Sequence, residues 1–473
     1  MVPTSERYDV VIIGGGPAGY AAALHAGLAG MRVALVEKDK VGGTCLHRGC
    51  IPAKELLETA SVFRTVAGAK EFGIATDQPV LEMPQSQARK ARVVGQLHKG
   101  LAGLLKRRKV TVIAGTGTLG PGRRVSVAGG ADVVGDAVVL ATGSVPRTIP
   151  GFEVDGRLVL TSDELLDLQA LPPSAAVIGG GAIGCEFASL MADLGTRVTI
   201  LEALPKILPG CDSDVAGVVL RSFSKRGIAV RTGVPVTGHR PAPDGATTTV
   251  SFGAAEEVTV EAVVVSVGRR PLSEGLVSKG TGVRIDGRGF VEVDEWMRTG
   301  EEGVYACGDL VATPALAHVG FAEGMLVIDQ LLGAMPSGRP PVPVDYARVP
   351  WCIYTHPEVA FAGMSEEAAR LAGYDVVTKK DPFAGNGRAL IVGESEGLVK
   401  VICDRGPDGR AGRILGVHMA GPWVTEQLGQ AYLALNWDAV PDEVAPFVQP
   451  HPTMSETFGE TLLALTGRGL HVG

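Results

Sequence analysis

Residues 8–37 read YDVVIIGGGPAGYAAALHAGLAGMRVALVE, and this stretch decides the fold. Tyr8 to Ile13 is a continuous apolar, β-branched run, the pattern of a strand buried on both faces. It opens into Gly14-x-Gly16-x-x-Gly19, continues as an Ala-rich helix and returns as a second strand ending at Glu37, 23 positions after Gly14. Each part suits a dinucleotide. The first glycine makes the tight turn, the second lets backbone N–H groups approach a pyrophosphate, and the third lets helix and strand pack. The acid closing the second strand accepts from a ribose hydroxyl. Val10 to Val36 is also long and apolar enough to suggest a membrane span or a leader. Gly14-Gly15-Gly16-Pro17 would break such a helix, His25 and Arg32 sit inside the run, and no basic stretch precedes it, so no membrane association is expected.

The pattern recurs. Ala175 to Ile178 reads as a strand, Gly179-x-Gly181-x-x-Gly184 as the turn, and RVTIL as the next strand, closing at Glu202 with the same 23-residue spacing. Two copies at one spacing predict two dinucleotide sites. A strand over Asp136–Leu140 leads into Ala141-Thr142-Gly143-Ser144, and one over residues 262–267 leads into Gly268-Arg269-Arg270-Pro271. His239 to Gly253 reads as a hairpin, and Gly303 to Asp309 as another buried strand ending in Gly-Asp. Past the linker-like Gly338-Arg339-Pro340-Pro341, strands and helices alternate without a third fingerprint. The predicted class is α/β, with two Rossmann-like domains.

Composition narrows the functions. At roughly 150 residues per domain, 473 residues suggest about three domains. A balance of 44 basic and 51 acidic residues, net −7, argues against nucleic acid as a partner. The basic cluster Lys106-Arg107-Arg108-Lys109 fits a helix C-terminus ahead of a strand, where cations suit the dipole. Seven scattered cysteines make neither a disulfide framework nor a zinc finger, so no metal is expected. With no sorting signal in sight, the expected compartment is the reducing cytoplasm.

Two cysteines stand apart, in Gly42-Gly43-Thr44-Cys45-Leu46-His47-Arg48-Gly49-Cys50-Ile51-Pro52-Ala53-Lys54. Pro52 followed by KELLETA predicts a helix start, which sets the thiols near a positive dipole end with Arg48 and Lys54 to favour a thiolate. The other five cysteines read as small core residues. A redox dithiol needs a proton carrier, and two His-Pro segments offer one. His356 lies in YTHPEVA; His451 is followed five residues later by Glu456 at a predicted helix start, able to turn back onto the imidazole. Spacing favours His451 without excluding His356.

The GGTCxxxGCIPxK segment, both fingerprints, Ala141-Thr142-Gly143, Ala306-Cys307-Gly308-Asp309 and the HPTxSE tail together resemble the flavin-dependent pyridine-nucleotide disulfide oxidoreductases, in order from residue 8 to about residue 465. Within them the chain is most similar to the branch acting on dihydrolipoamide. The resemblance implies an FAD-binding domain over 1–150, an NAD-binding domain over 151–271, a central domain over 272–345 completing the FAD domain, and an interface domain over 346–473. It places FAD on Gly14, Gly16 and Gly19, with Glu37 on its ribose, Gly43 and Thr44 alongside, Gly117 near adenine, Thr142, Gly143 and Ser144 along the cofactor, and Asp309 and Ala317 near ribityl and ring. It sets Lys54 near the flavin, paired with Glu186. NAD falls on Gly179, Gly181, Gly184, Glu202 and Gly268. Cys45 becomes the thiol exchanging with substrate and Cys50 the one facing the flavin. His451 and Glu456 act on the dithiol of the second subunit of a homodimer, which settles the choice against His356.

The implied path runs from dihydrolipoamide to the Cys45–Cys50 disulfide, then to FAD and to NAD. The lipoyl group would be presented by a 2-oxoacid dehydrogenase or glycine cleavage complex. NAD is expected over NADP because Glu202 repels a 2′-phosphate and Ala203-Leu204-Pro205 supplies no arginine. Three positions depart from the family pattern: Gln449-Pro450 in place of His-Ala, Ala182, and His47-Arg48 between the thiols. The alternatives are a reductase of another low-molecular-weight disulfide and a catalytically silent flavoprotein scaffold or redox sensor.

Overall fold

A computed structural model describes residues 6–471, and the chain folds as two compact units. The first comprises the residues to Leu56, Glu82–Arg147 and Gly268–Tyr346; the second comprises Leu57–Leu81, Thr148–Val267 and the residues from Ala347 onward.

In the first unit, Glu6–Ile13 lies at the centre of a seven-stranded sheet. Val33–Glu37 pairs parallel on one side of it, in the register Val10 to Val33, with Thr111–Ala114 beyond. Val133–Leu140 pairs parallel on the other side, in the register Ile13 to Leu140. Val304–Ala306 adds to the far half of Val133–Leu140, while Arg124–Val127 and Gly117–Gly120 extend its near half antiparallel. The apolar runs predict this because the central strands are covered on both faces: Val10, Val11, Ile12, Leu35, Val138, Val139 and Leu140 are buried. Each such side chain contributes about 1.5–3 kcal/mol by leaving water.

The helix Pro17–Leu28 buries only small residues, Ala18, Ala22, Ala23 and Ala26. That lets Ala317–Leu332 lie directly against it, where a Cβ on Gly324 would stand 2.4 Å from the Ala18 carbonyl oxygen. His25 and Asp329 tie the same two helices together at 2.7 Å. The basic cluster takes its expected place: Met83–Arg107 is a helix and Thr111–Ala114 the strand that follows.

In the second unit, five parallel strands run in the spatial order Ala229–Thr232, Arg197–Glu202, Ser174–Ile178, Ala262–Val265 and Val159–Leu160. The stretch read as a hairpin is a three-stranded antiparallel sheet, Val236–Pro241, Thr248–Phe252 and Glu256–Val260. Its third strand carries Glu256 and Glu257 on exposed positions, which hid it from a search for apolar runs. The C-terminal segment forms a five-stranded antiparallel sheet in the order Trp351–Ile353, Glu358–Gly363, Ala411–Gly421, Leu398–Arg405 and Val376–Pro382. The helices Val424–Asn436 and Glu456–Leu465 bury Leu428, Phe458 and Leu462 in the core of that sheet.

Within the same unit, the buried Lys400 ammonium meets Asp212 at 3.0 Å, and Asp214 and Glu366 each at 2.8 Å. Asp212 also caps the helix Ser213–Lys225 and accepts the Glu366 N–H at 3.0 Å. The architecture is thus α/β with two Rossmann-like sheets and a C-terminal α+β domain. No helix among the described residues is long and apolar enough to cross a membrane.

Candidate active site

The two glycine turns are built alike. Gly14 has φ +107°, and a Cβ there would stand 2.2 Å from the Ala141 carbonyl oxygen. Gly179 has φ +106°, with Ser266 oxygen at 2.4 Å. The third glycines are equally constrained, Gly19 against Gly14 oxygen at 1.8 Å and Gly184 against Gly179 oxygen at 2.0 Å. The middle glycines are not. Gly16 and Gly181 both have φ −73°, a conformation open to any residue. A Cβ at Gly16 would meet only the Gly43 Cα, at 4.0 Å, and at Gly181 nothing within 4 Å. The protein's own packing does not ask for glycine at either place, and each leaves the open approach that a pyrophosphate would need.

The acids after each turn are held alike. Glu37 accepts the Gly15 N–H at 2.6 Å and the Asp39 N–H at 2.8 Å. Glu202 accepts the Gly180 N–H at 2.5 Å and the Leu204 N–H at 2.7 Å. Both carboxylates are fixed by backbone donors, with lone pairs remaining for a ribose hydroxyl.

The cysteine segment sits on the first turn. The Gly42 N–H donates to Gly15 oxygen at 2.7 Å, and a Cβ on Gly43, at φ +57°, would fall 2.6 Å from the Gly16 Cα. Thr44 and half-buried Cys45 lie in a short helix, Gly43–His47. Exposed Cys50 is the first residue of Cys50–Ala67, two positions before the expected start. Pro52 is no obstacle there, because the first-turn N–H groups have no partner within a helix.

The Cys45 thiol is pushed well above its ordinary value by its hydrogen bond with Cys50, by burial and by the charge of Cys50, while Lys54 pulls the other way. Two thiols so close ionise one after the other. Arg48 does not supply the expected positive charge, because its guanidinium is paired with Asp39. His47 is engaged as well, donating from Nε2 to the Val41 carbonyl at 3.0 Å. His47 and Arg48, between the thiols, thus fasten that loop to the segment leaving Glu37.

Around the turn, Thr142 donates to the Leu272 carbonyl at 2.7 Å, and Gly143 takes φ +73°. Ser144 donates to Asp309 at 2.5 Å and receives Arg269 Nε at 2.7 Å. A two-stranded ladder of Ser144–Pro146 with Arg269–Pro271 carries these groups, next to Gly268 at φ +103°. Asp309 sits on the 3-10 turn Gly308–Leu310 that replaces the end of the expected strand, and Ala317 opens the helix Ala317–Leu332. Gly117 has a packing reason of its own, since a Cβ there would meet Ile13 and Val36 side chains at 3.1 Å.

The second histidine segment forms a pair. His451 Nδ1 and Glu456 Oε1 stand 2.7 Å apart, and Glu456 Oε2 accepts the Thr453 N–H at 2.7 Å. With Nδ1–H directed at the carboxylate, Nε2 carries the free lone pair, and the His451 side chain is 76% exposed. His356 is placed differently. Burial, then the charges of Arg64 and Arg226, push its imidazole down to about 3, so it stays neutral and is a weak acceptor of a second proton.

A flavoprotein family answers to this arrangement. Residues 8–324 match the pyridine nucleotide-disulphide oxidoreductases, and residues 349–462 match the dimerisation domain of the same family. The chain belongs to the pyridine nucleotide-disulphide oxidoreductases. A dihydrolipoyl dehydrogenase of Bacillus subtilis is 41% identical over 482 residues, covering 99% of this chain and 100% of the relative. One from Thermus scotoductus is 38% identical, covering 99% of each. Among solved structures, LpdA from Mycobacterium tuberculosis matches with a TM-score of 0.88 at 27% identity, covering 97% of this chain and 99% of that one. The HOCl-induced flavoprotein disulfide reductase RclA from Escherichia coli matches at 0.84 and 28%, covering 96% and 99%.

As a flavin disulphide oxidoreductase most like the dihydrolipoyl dehydrogenases, the chain uses FAD and NAD. The two middle glycines, left open and unexplained by packing, fit the pyrophosphates that such groups would bring. Glu186, on the helix Ala182–Asp193, is buried and accepts the Tyr354 N–H at 2.8 Å. Sequence reading missed three residues. Arg269 reaches Ser144, and the first of the paired arginines after Gly268 was the available signal. Tyr20 faces the thiols, its phenol pushed up to about 12 by burial and then by Cys45 and Cys50. Glu323 is fully buried and accepts the Gly308 N–H at 2.6 Å and the Tyr346 hydroxyl at 2.9 Å. A lone acid in the otherwise apolar stretch IGCEFASL singled out Glu186, and Glu323 within FAEGMLVI carries the same signal.

Proposed function

We propose that this protein oxidises dihydrolipoamide through a Cys45–Cys50 disulfide, with NAD as the final acceptor, as a homodimer of the reducing cytoplasm. The observation that carries the reading is the seating of the dithiol on the first dinucleotide turn, Gly43 against Gly16. In the oxidised enzyme, Nε2 of His451 takes a proton from a substrate thiol of the other subunit's site, and the new thiolate attacks Cys45 Sγ. The Cys45–Cys50 bond breaks, and Cys50 leaves as a thiolate. The second substrate thiol then attacks the substrate sulfur of the mixed disulfide and its proton passes to the freed Cys45, which leaves the first proton on His451 and the negative charge on Cys50. Glu456 keeps the imidazole in the tautomer this requires and steadies its protonated form. When bound, FAD and NAD carry the electron pair away from the reduced dithiol.

Action across a dimer is supported by the chain ahead of His451, where Phe447 is 65% and Val448 96% exposed in the single chain. The lipoyl group would arrive on a carrier domain of a 2-oxoacid dehydrogenase or glycine cleavage complex. A second reading, reduction of another small disulfide, draws on Gln449, whose side chain lies against Gly459 beside the dyad in place of the family's His-Ala.

Two measurements test the proposal. Anaerobic NADH should raise a long-wavelength thiolate-to-flavin band in the yellow protein, and Cys50→Ser should abolish it; a wild type without the band sinks the dithiol mechanism. Steady-state turnover should favour NAD with lipoamide over NADPH with other disulfides, and the reverse preference would establish the second reading.

A further inference from the structure

The residue that decides between NAD and NADP is read from the end of the second strand of a fingerprint, here Glu202. The first cation after it is Lys206, four positions on. Its backbone is close to the turn: Ile207 lies against Gly180, with Cγ2 2.7 Å from where a Cβ would stand, and the Leu208 N–H donates to Gly180 oxygen at 2.8 Å. A lysine in this position is a ready partner for a 2′-phosphate, yet its ammonium is taken. Lys206 Nζ meets Glu367 Oε2 at 2.9 Å and Ser213 Oγ at 3.3 Å, and Ser213 also donates to the other Glu367 oxygen.

Glu367 is not a loose surface acid. It sits in the first turn of Glu366–Leu371, capped by Ser365. That turn is bolted to the start of Ser213–Lys225 by the Glu366 N–H on Asp212 and by the buried Lys400 between Asp212, Asp214 and Glu366. The network fixes Glu367 opposite Lys206, although the two lie 161 residues apart.

We propose that Glu367 is a specificity-determining residue for the coenzyme. It neutralises Lys206, the first cation after the ribose acid, so that a 2′-phosphate finds repulsion from Glu202 and no counter-charge from that lysine. This rests on the reading of the second fingerprint as the NAD site.

The test is the ratio of dissociation constants for NADP⁺ and NAD⁺, measured by calorimetry on the oxidised holoenzyme. Glu367→Gln keeps the size and hydrogen bonding but removes the charge, and should lower the ratio about fivefold, the worth of one exposed ion pair. Adding Lys206→Gln to that variant should restore the wild-type ratio, since the gain needs the freed ammonium. Ser213→Ala, which loosens the pair without altering charge, should move the ratio the same way by less, and serves if Glu367→Gln does not fold. A wild type preferring NADP⁺ overturns the NAD reading and this inference with it. A wild type preferring NAD⁺, with the ratio unmoved in the variants or the gain persisting without Lys206, overturns this inference alone.

Discussion

At Gly16 and Gly181, alanine would meet no clash and no forbidden φ, so substitution separates ligand binding from folding. Gly16→Ala should leave apoprotein stability equal or higher by about 0.4–1 kcal/mol, because the unfolded chain loses freedom. It should nonetheless lower FAD retention on dialysis, and Gly181→Ala should raise the KM for NAD. Gly14→Ala and Gly19→Ala, which meet backbone oxygen at 2.2 and 1.8 Å, should instead lower the thermal midpoint of the apoprotein. The dyad makes a second prediction. His451→Gln should lower kcat with dihydrolipoamide by about 10²- to 10⁴-fold. The thiolate-to-flavin band formed with NADH should remain, since the dithiol is untouched. Glu456→Gln should lower turnover less, because its amide oxygen can still accept from Nδ1. Candidates for such roles were legible in sequence as short spacings: three glycines within six residues, two cysteines five apart, a histidine five ahead of an acid. Arg48 was misread for the opposite reason. Its charge counts only once its partner is known, and Asp39 reaches it through a fold of the chain.

Elements were legible in proportion to how much of their surface is buried. The central parallel strands are apolar on both faces and stand out as runs, whereas the strand Glu256–Val260 is exposed at four of its five positions or only partly covered there, and its charges masked it. The close pairing of Pro17–Leu28 with Ala317–Leu332 was invisible for another reason. Its signal is an absence of side chain, at Gly320 and Gly324, just over 300 residues from Ala18. A prediction belongs to this crossing. Gly324→Ala would place a methyl 2.4 Å from the Ala18 carbonyl oxygen, so the helices must part. Overpacking of that kind destabilises by about 1–3 kcal/mol. Because one helix follows the fingerprint turn and the other follows Asp309, the variant should release FAD at a lower temperature than wild type. A thermal scan of flavin fluorescence reads this directly, and an unchanged release temperature would mean the helices give way without disturbing either end.

For the molecule as a whole, the charges least visible in sequence are set to govern its behaviour in acid. Asp212, Asp214 and Glu366 are held below the ordinary carboxylate range, each against burial, by hydrogen bonds and by the charge of Lys400. A carboxyl whose pKa is depressed by folding stabilises the native state above its unfolded value, and that contribution is lost as pH falls towards the folded one. Two histidines, His418 buried and His356 half-buried, act in the same direction but earlier. His418, stacked on Phe361 and facing Asp212, Lys400 and Glu367, is pushed down to about 4 by burial; His356, facing Arg64 and Arg226, is pushed to about 3. Unfolded, each takes a proton near 6.5, while the native state refuses it, so stability begins to fall just below pH 6.5 and keeps falling through the histidine range. All these groups lie in the second unit. Denaturant unfolding between pH 7.5 and 4 should therefore show a loss that starts above the carboxylate range, and His418→Phe should flatten its first part if the ring is accommodated. Lys400→Met should be destabilising at pH 7, by about 3–5 kcal/mol, because three carboxylates are left without their cation. Its deficit should shrink as the pH is lowered, since protonation removes the repulsion that the lysine had balanced. A deficit that grows on acidification would show that Lys400 acts through packing and not through charge.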